Sequence, residues 1–297
     1  MSVRRLLLAL PGNEEFAQRL ARALAADFAR VEARRFPDGE SYVRLLVEPA
    51  GRVVDLVATL ARPDEGFLQL VFAADAAREL GATQVNLVAP YLAYMRQDHR
   101  FRPGEAVSSR SFARLVSSSF DRLVTVDPHL HRHRALSDIY TIRAEALQSA
   151  PLLAEWIGTH VEKPLVIGPD EESAQWAGAI AVRIGAPHVV LRKVRHGDRE
   201  VEITLPDLER WRGHQPVLVD DIASSGRTLA VAARELSRRG LARPVCVVVH
   251  ALFAGDAFET LAPLCARIVS TDSVAHPTNA IVLAPLLAAA LRDGADR

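Results

Sequence analysis

Short apolar runs alternate with amphipathic stretches along most of the chain. Strands are predicted at Leu6–Leu10, Val53–Leu60, Val85–Ala89, Leu123–Val126, Leu165–Ile167, Val189–Leu191, Val217–Val219, Val245–His250 and Ile268–Ser270. Their near-continuous apolar character is that of strands covered on both faces. Between them the apolar period changes to that of a helix. From about Asn13 to Phe28, Phe16, Leu20, Leu24 and Phe28 recur at i, i+4. Phe67–Leu80 and Glu171–Ile184 each stop at a glycine, Gly81 and Gly185. Leu229–Arg239 places Leu229, Ala232, Ala233 and Leu236 on one face, and Gly240 follows. A last helix is predicted from about Ala284 to Arg292. Alternating β and α implies an α/β fold. About ten strands suit two doubly wound parallel-sheet domains better than one. A boundary near 140–150 is expected, with no low-complexity linker to mark it.

Composition narrows the class without naming it. At 297 residues the chain can bury sizeable cores. Lys plus Arg and Asp plus Glu balance at 36 each, so nothing marks a nucleic-acid partner. The two cysteines, Cys246 and Cys265, lie in apolar surroundings and suit a reducing compartment. The run Leu6–Leu10 is too short for a signal peptide and is cut by Pro11-Gly12. No stretch approaches the ~18 to 20 apolar residues of a membrane helix. A soluble, cytoplasmic protein is expected.

The stretch Pro216–Thr228 carries the clearest chemistry. An apolar run ends in Asp220 and Asp221. The small loop Ile222-Ala223-Ser224-Ser225-Gly226-Arg227-Thr228 follows and opens a helix. Small residues entering a helix present free N–H groups and the positive end of the dipole, which attract phosphate. Ser224, Ser225 and Thr228 can add hydroxyl donors. The carboxylates suit ribose hydroxyls or hydrated Mg²⁺ instead. A ligand with a phosphate at one end and a diol nearby, such as a ribose 5-phosphate, meets both needs. The loop is not a Walker A motif, because no Gly-Lys-Ser/Thr follows. An ordinary strand-to-helix turn with a solvated acidic pair is the bland alternative.

Other stretches are ambiguous singly. Phe36-Pro37-Asp38-Gly39-Glu40 is an acidic turn, and Ser41-Tyr42-Val43-Arg44 alternates like a strand. Pro90–Arg100 follows a buried strand and offers Arg96 as a clamp for phosphate oxygens. Asp127-Pro128-His129-Leu130-His131-Arg132-His133 alternates histidines, which on an extended segment share a side and invite a divalent ion. Gly168-Pro169-Asp170-Glu171-Glu172-Ser173 opens a helix with Asp170 as candidate N-cap, or holds Mg²⁺. Arg192–Arg199 is a basic run, with Lys193 and Arg195 on one face if extended. It is either a charged hairpin tip or a set of cations for a transferring phosphoryl group.

Together and in this order, these stretches resemble the ribose-phosphate pyrophosphokinase (phosphoribosyl pyrophosphate synthase) family along nearly the whole chain. The resemblance rests on Phe36–Glu40, Arg96-Gln97-Asp98, Arg102–Ser108, Thr125-Val126-Asp127-x-His129 and Pro169-Asp170. It continues through Lys193-x-Arg195, Val219–Ile222 and His250–Gly255. The Arg-Pro-Gly-Glu and Lys-x-Arg forms look closest to archaeal-type members.

The resemblance implies two domains of the type I phosphoribosyltransferase-like fold. These would be 1–145 on the ATP side and 146–280 with the ribose 5-phosphate loop, with helix 281–297 returning to the first. It implies Mg²⁺-dependent transfer of a diphosphoryl group from ATP to ribose 5-phosphate, giving AMP and 5-phosphoribosyl 1-diphosphate. By matching position, Asp38, Gly39, Glu40, Arg96 and Gln97 would bind ATP, and His129 and Asp170 would help hold Mg²⁺. Lys193 and Arg195 would be catalytic cations. Asp220, Asp221, Ser224, Ser225, Gly226, Arg227 and Thr228 would bind ribose 5-phosphate. Asp38 and Glu40 would serve a neighbouring subunit's adenine, so self-association follows, with no nucleic-acid or membrane partner. Three departures stand out. Ser224 replaces a common acid, Arg227 a usual glycine, and Glu171-Glu172 two common glycines. A salvage phosphoribosyltransferase shares the loop but needs neither Asp38–Glu40 nor Arg96–Asp98. A silent regulatory relative would be expected to lose Lys193 and Arg195.

Overall fold

The computed structural model describes residues 4–130, 132–171, 173–196, 200–204 and 208–293. The chain divides into two compact units, one reaching Leu147 and rejoined by the chain from Leu283, the other spanning Gln148–Val282. Unit one contains β1 (Arg5–Ala9), α1 (Glu14–Leu24), β2 (Asp27–Arg35), β3 (Ser41–Leu45), β4 (Val53–Val57) and α2 (Pro63–Glu79). It continues with β5 (Gln84–Ala89), α3 (Ser108–Ser119), β6 (Arg122–Val126) and β7 (Arg143–Leu147). Its sheet runs β3-β2-β1-β4-β5-β6-β7. All neighbours pair in parallel except the β2–β3 hairpin at the edge.

Unit two contains α4 (Ala150–His160), β8 (Pro164–Gly168), α5 (Ala174–Ile184), β9 (His188–Val190), β10 (Arg192–His196) and β11 (Glu200–Thr204). After these come β12 (Gln215–Ala223), α6 (Arg227–Arg238), β13 (Val245–Ala251), α7 (Ala257–Leu261), β14 (Arg267–Thr271) and β15 (Asn279–Ile281). The main sheet, β15-β14-β13-β12-β8-β9, is parallel throughout, and β10–β11 is a separate antiparallel hairpin. The buried runs Val217–Val219 and Val245–Val249 form its centre, as continuous apolar strands should. The apolar face of α6, Leu229, Ala232, Ala233 and Leu236, packs into the same core. Among the described residues no helix is long and apolar enough to cross a membrane.

Several elements differ from the sequence expectation. The helix predicted to Phe28 ends at Leu24, because Ala25 takes a left-handed conformation (φ 53°). Phe28 then pairs with Leu7 in β2, so its i, i+4 position was coincidental. The helix predicted from Glu171 starts at Ala174. Strand β12 does not end at Val219 but runs through the acidic pair to Ala223. Helices α4 and α7 and strands β2, β7 and β15 had no predicted counterpart.

The last helix, α8 (Ala284–Asp293), packs in unit one, and two arginines fix its end. Arg5 Nη2 donates to Leu291 O at 3.0 Å, and Arg122 Nη2 to Ala290 O at 2.9 Å. Cations at the C-terminal carbonyls satisfy orphan acceptors and complement the dipole. Each arginine is held from behind. Arg122 Nε bonds Glu145 at 2.9 Å. Arg5 Nη1 bonds the fully buried Asp55 at 2.5 Å, and Asn86 Nδ2 donates to the other Asp55 oxygen at 2.8 Å. Burial pushes the Asp55 pKa up, and Arg5 works against that push. Removing one member of such a buried pair leaves an uncompensated charge. Arg5→Ala is therefore expected to lower stability by about 3–5 kcal/mol in urea denaturation, with Arg5→Lys recovering only part because it lacks the fork. A loss under about 1 kcal/mol, the worth of an exposed pair, would contradict this reading.

Candidate active site

In unit two, β8 crosses through α5 to β9 on one side, whereas β12 crosses through α6 to β13 on the other. The strand order therefore reverses between β8 and β12. Open α/β sheets form their ligand crevice at the carboxyl ends of strands at such a point. Two sequence motifs lie there, Gly168–Ser173 after β8 and Asp220–Thr228 at the end of β12.

Asp220 and Asp221 are half-buried on the strand, and the Asp221 N–H donates to Asp220 Oδ1 at 3.0 Å. Beyond Ala223 the chain turns through Ser224, Ser225 and Gly226 (φ 64°) into α6. The first-turn N–H groups of α6 have no acceptor within the helix and face the crevice end with the positive dipole. Ser225 and Arg227 are exposed, and Ser224 and Thr228 half-buried. A second segment holds this turn. The N–H groups of Leu252 and Phe253 donate to Ala223 O at 3.1 and 2.8 Å, and that of Ala254 to Ser224 O at 2.9 Å. A Cβ on Gly226 would stand 3.4 Å from Ala257 O, in a left-handed backbone. Phe253, itself at φ 37°, packs with Phe258 and His276 at ring separations of 4.9–5.4 Å. The strand under this segment is anchored by buried His250, whose Nδ1 lies 2.9 Å from Ser273 Oγ. His250–Gly255 carried family resemblance in the sequence but no role, since backbone bracing leaves no side-chain signal.

The acids concentrate negative potential. Burial pushes the Asp220 pKa well up, and the neighbouring carboxylates of Asp221 and Asp170 push it further. Asp170 is fixed by a tight turn. Its Oδ1 accepts the Ser173 N–H at 3.2 Å, and its carbonyl accepts Ser173 Oγ at 2.6 Å. Asp170 is thus not itself the N-cap of α5; that residue is Ser173. Gly168 makes the turn fit, because a Cβ there would meet Ser173 Oγ at 2.5 Å. Glu171 is exposed, and Glu172 lies outside the described residues. Among the described residues no three His, Cys, Asp or Glu side chains are grouped to hold a metal.

The remaining candidates in unit one lie elsewhere on its sheet. Asp38, Gly39 and Glu40 form the exposed tip of the β2–β3 hairpin, with Gly39 at φ 93°. The tip is closed by Phe36 N–H to Glu40 O at 2.8 Å and by Arg35 Nη1 to Gly39 O at 3.0 Å. Arg34 lies over the rings of Phe36 and Tyr42 at 4.7 and 4.2 Å, giving this tip an aromatic face. Arg96 is exposed and Gln97 half-buried, in the segment after β5. Gln97 O accepts the Ser109 N–H, from the first turn of α3, at 3.3 Å. His129 is half-buried after β6. The alternation expected of its neighbours does not hold, because Asp127 is left-handed (φ 35°) and His133 N–H turns back to Leu130 O. His131 lies outside the described residues. The order of this sheet reverses between β1 and β4, and there Asn13 bridges the two strand ends. Its Oδ1 accepts the Thr59 N–H at 2.7 Å, while its Nδ2 donates to Leu10 O. The two strand ends at the reversal of unit one are thus linked by a side chain.

Lys193 and Arg195 sit in β10, paired with Ile203 and Val201 of β11. The basic run is a hairpin strand, and the side-chain placement of both cations lies outside what the structure describes.

Comparison with known proteins gives one consistent result. The model of the N-terminal domain of ribose phosphate pyrophosphokinase matches residues 6–119, and that of the phosphoribosyl transferase domain residues 135–269. A ribose-phosphate pyrophosphokinase of Methanopyrus kandleri is 38% identical, with 97% of this chain and 99% of the relative covered. One from Methanothermobacter thermautotrophicus is 31% identical, covering 97% of this chain and 100% of the relative. In the crystal structure of phosphoribosylpyrophosphate synthetase from Mycobacterium smegmatis the fold recurs with TM-score 0.86, 24% identity and 99% coverage of both chains.

The raised pKa of Asp220 has a consequence for stability. An acid whose folded pKa lies above its unfolded value binds more protons when folded. Stability then falls as pH rises from the ordinary aspartate range towards the raised value. Asp220→Asn keeps the bond from Asp221 N–H and removes the charge. It is expected to raise Tm at neutral pH, with the advantage shrinking towards about pH 4. A Tm difference independent of pH, or a lower Tm at neutral pH, would contradict this.

Proposed function

The chain belongs to the ribose-phosphate pyrophosphokinase family, enzymes that transfer diphosphate groups, and on that premise we propose its specific reaction. It moves the β,γ-diphosphoryl group of ATP to the C1 hydroxyl of ribose 5-phosphate, giving 5-phosphoribosyl 1-diphosphate and AMP. The observation that carries this is the pairing, at one crevice, of a helix-N-terminal turn with two carboxylates on the strand leading into it. The turn fits a phosphate and the carboxylates fit a diol. Ser224, Ser225, Gly226, Arg227 and Thr228 hold the 5-phosphate, and Asp220 and Asp221 the ribose hydroxyls. Arg227 adds a cation at the mouth of the turn, where it is exposed.

The chemistry follows from charge. The C1 oxygen attacks the β-phosphorus in line, and the bond from that phosphorus to the oxygen bridging to the α-phosphate breaks. AMP leaves with the bridging oxygen, and the hydroxyl proton passes to solvent. Charge spreads over the transferring oxygens, so positioning and cations supply the catalysis. Lys193 and Arg195 are assigned that role. Arg96 and Gln97 hold the nucleotide. Asp38, Gly39 and Glu40 serve adenine, and their place on an exposed, aromatic-faced hairpin tip suits the pocket of a neighbouring copy. His129 and Asp170 contact Mg²⁺, directly or through water, and the negative potential around Asp170 and Asp220 favours a dication. When bound, Mg²⁺ neutralises the polyphosphate. A cytoplasmic location agrees with the free thiols of Cys246 and Cys265.

The test is a single incubation of purified protein with ATP, Mg²⁺ and ribose 5-phosphate. AMP and phosphoribosyl diphosphate should appear in equal amounts. Lys193→Ala should cut turnover by about 10²-fold or more, at nearly unchanged nucleotide affinity. ADP in place of AMP, or no product with any nucleotide and sugar phosphate, would sink the proposal.

A further inference from the structure

Two loops of unit one are joined by a side chain that the assigned roles leave unused. Asp98 follows Arg96 and Gln97 after β5, yet only 1% of its side chain is exposed. Arg132 reaches it from the segment after β6, which carries His129. Arg132 Nη1 lies 3.0 Å from Asp98 Oδ1 and 3.3 Å from Oδ2. His99 Nδ1 lies 2.8 Å from the same Oδ1. The Arg132 nitrogen also lies 3.0 Å from that ring nitrogen. A carboxylate only accepts, so it assigns the proton to Nδ1 of His99, and Arg132 directs its own N–H to the carboxylate. The His99 ring in turn stacks on Phe101, with centroids 3.8 Å apart.

The arrangement is asymmetric in burial. Asp98 is enclosed, while half of the Arg132 side chain is exposed. A buried carboxylate without its cation is costly, so the bond holds Arg132 down and keeps its loop in register with the Arg96–Gln97 segment. A second bond fixes the same segment from the far side, Ser109 N–H to Gln97 O at 3.3 Å. Asp98 itself is turned inward to this clamp.

We propose that Asp98, through Arg132, is a positioning residue that locks the nucleotide-holding loop after β5 to the His129 loop after β6. The inference rests on the roles given to Arg96, Gln97 and His129 above. Supporting residues of this kind act on binding geometry rather than on chemistry directly. Breaking the clamp uncouples the two loops from each other, so ATP and Mg²⁺ dependence move together while the ribose 5-phosphate site of unit two is untouched.

The experiment is a double-mutant cycle on the full-length protein, with Asp98→Asn, Arg132→Lys and their combination, each assayed for AMP formation and for Tm. Asp98→Asn is expected to raise KM for ATP about tenfold or more and to shift the Mg²⁺ requirement upward. KM for ribose 5-phosphate should stay within about twofold, below the scale of a lost supporting contact. Arg132→Lys, at a half-exposed position, keeps the test open if the buried variant folds poorly. It should reproduce the same split, and the double variant should be no worse than the poorer single one. Additive effects, equal rises in both KM values, or a Tm loss with unchanged kinetics would overturn the clamp while leaving the reaction standing. A wild-type enzyme that makes no AMP would overturn the parent assignment and this role with it.

Discussion

Three backbone hydrogen bonds shape the turn on which everything else depends. Leu252, Phe253 and Ala254 donate to the carbonyls of Ala223 and Ser224, at the point where β12 becomes α6. Using those carbonyls elsewhere leaves the N–H side of the turn to the crevice. The same contacts keep Gly226 close against Ala257, so the left-handed glycine is required by both backbone and space. The dipole and first-turn N–H groups of α6 then meet at this turn, an arrangement that suits a phosphate.

Beside this positive turn the protein gathers carboxylates. Asp220 is opposed by burial, by Asp221 and by Asp170, and its pKa rises accordingly. A fold optimised only for stability would not keep these acids together. Their crowding is an electrostatic cost, which groups that donate hydrogen bonds to them would offset. Unit one shows a contrast, because at its own strand-order reversal Asn13 bonds both strand ends. Two sheets of similar architecture therefore differ at this point, one carrying a strand-to-helix turn with paired carboxylates and the other a side-chain bridge between strand ends.

The parts of the candidate site that were legible in the sequence are local. Asp220 to Thr228 and Asp38 to Glu40 combine residue types whose physics acts over a few positions, a turn, a helix start and a pair of charges. The burial of β1, β5, β12 and β13 was equally plain, since continuous apolar runs have few other uses. What escaped is nonlocal or masked by a competing pattern. The bracing of Ala223 by Phe253 is carried by backbone atoms 30 positions away. Asp98 meets Arg132 across 34 residues. The start of β2 was hidden because Phe28 extends the helical period of α1, and only the left-handed Ala25 breaks it. Edge strands β7 and β15, short and partly polar, give no clear alternation. The arginine anchors of α8 join its end to residues 286 and 168 positions earlier in the chain.

The central claim is that the turn at 224–228 recognises a phosphate. Calorimetric titration with ribose 5-phosphate and with ribose, on wild type and on Gly226→Ala, tests it most directly. Ribose 5-phosphate should bind wild type, ribose should bind at least about a hundredfold more weakly, and Gly226→Ala should lose about tenfold or more in affinity for the phosphate ester. Equal binding of the two sugars, or unchanged affinity in Gly226→Ala, would contradict it.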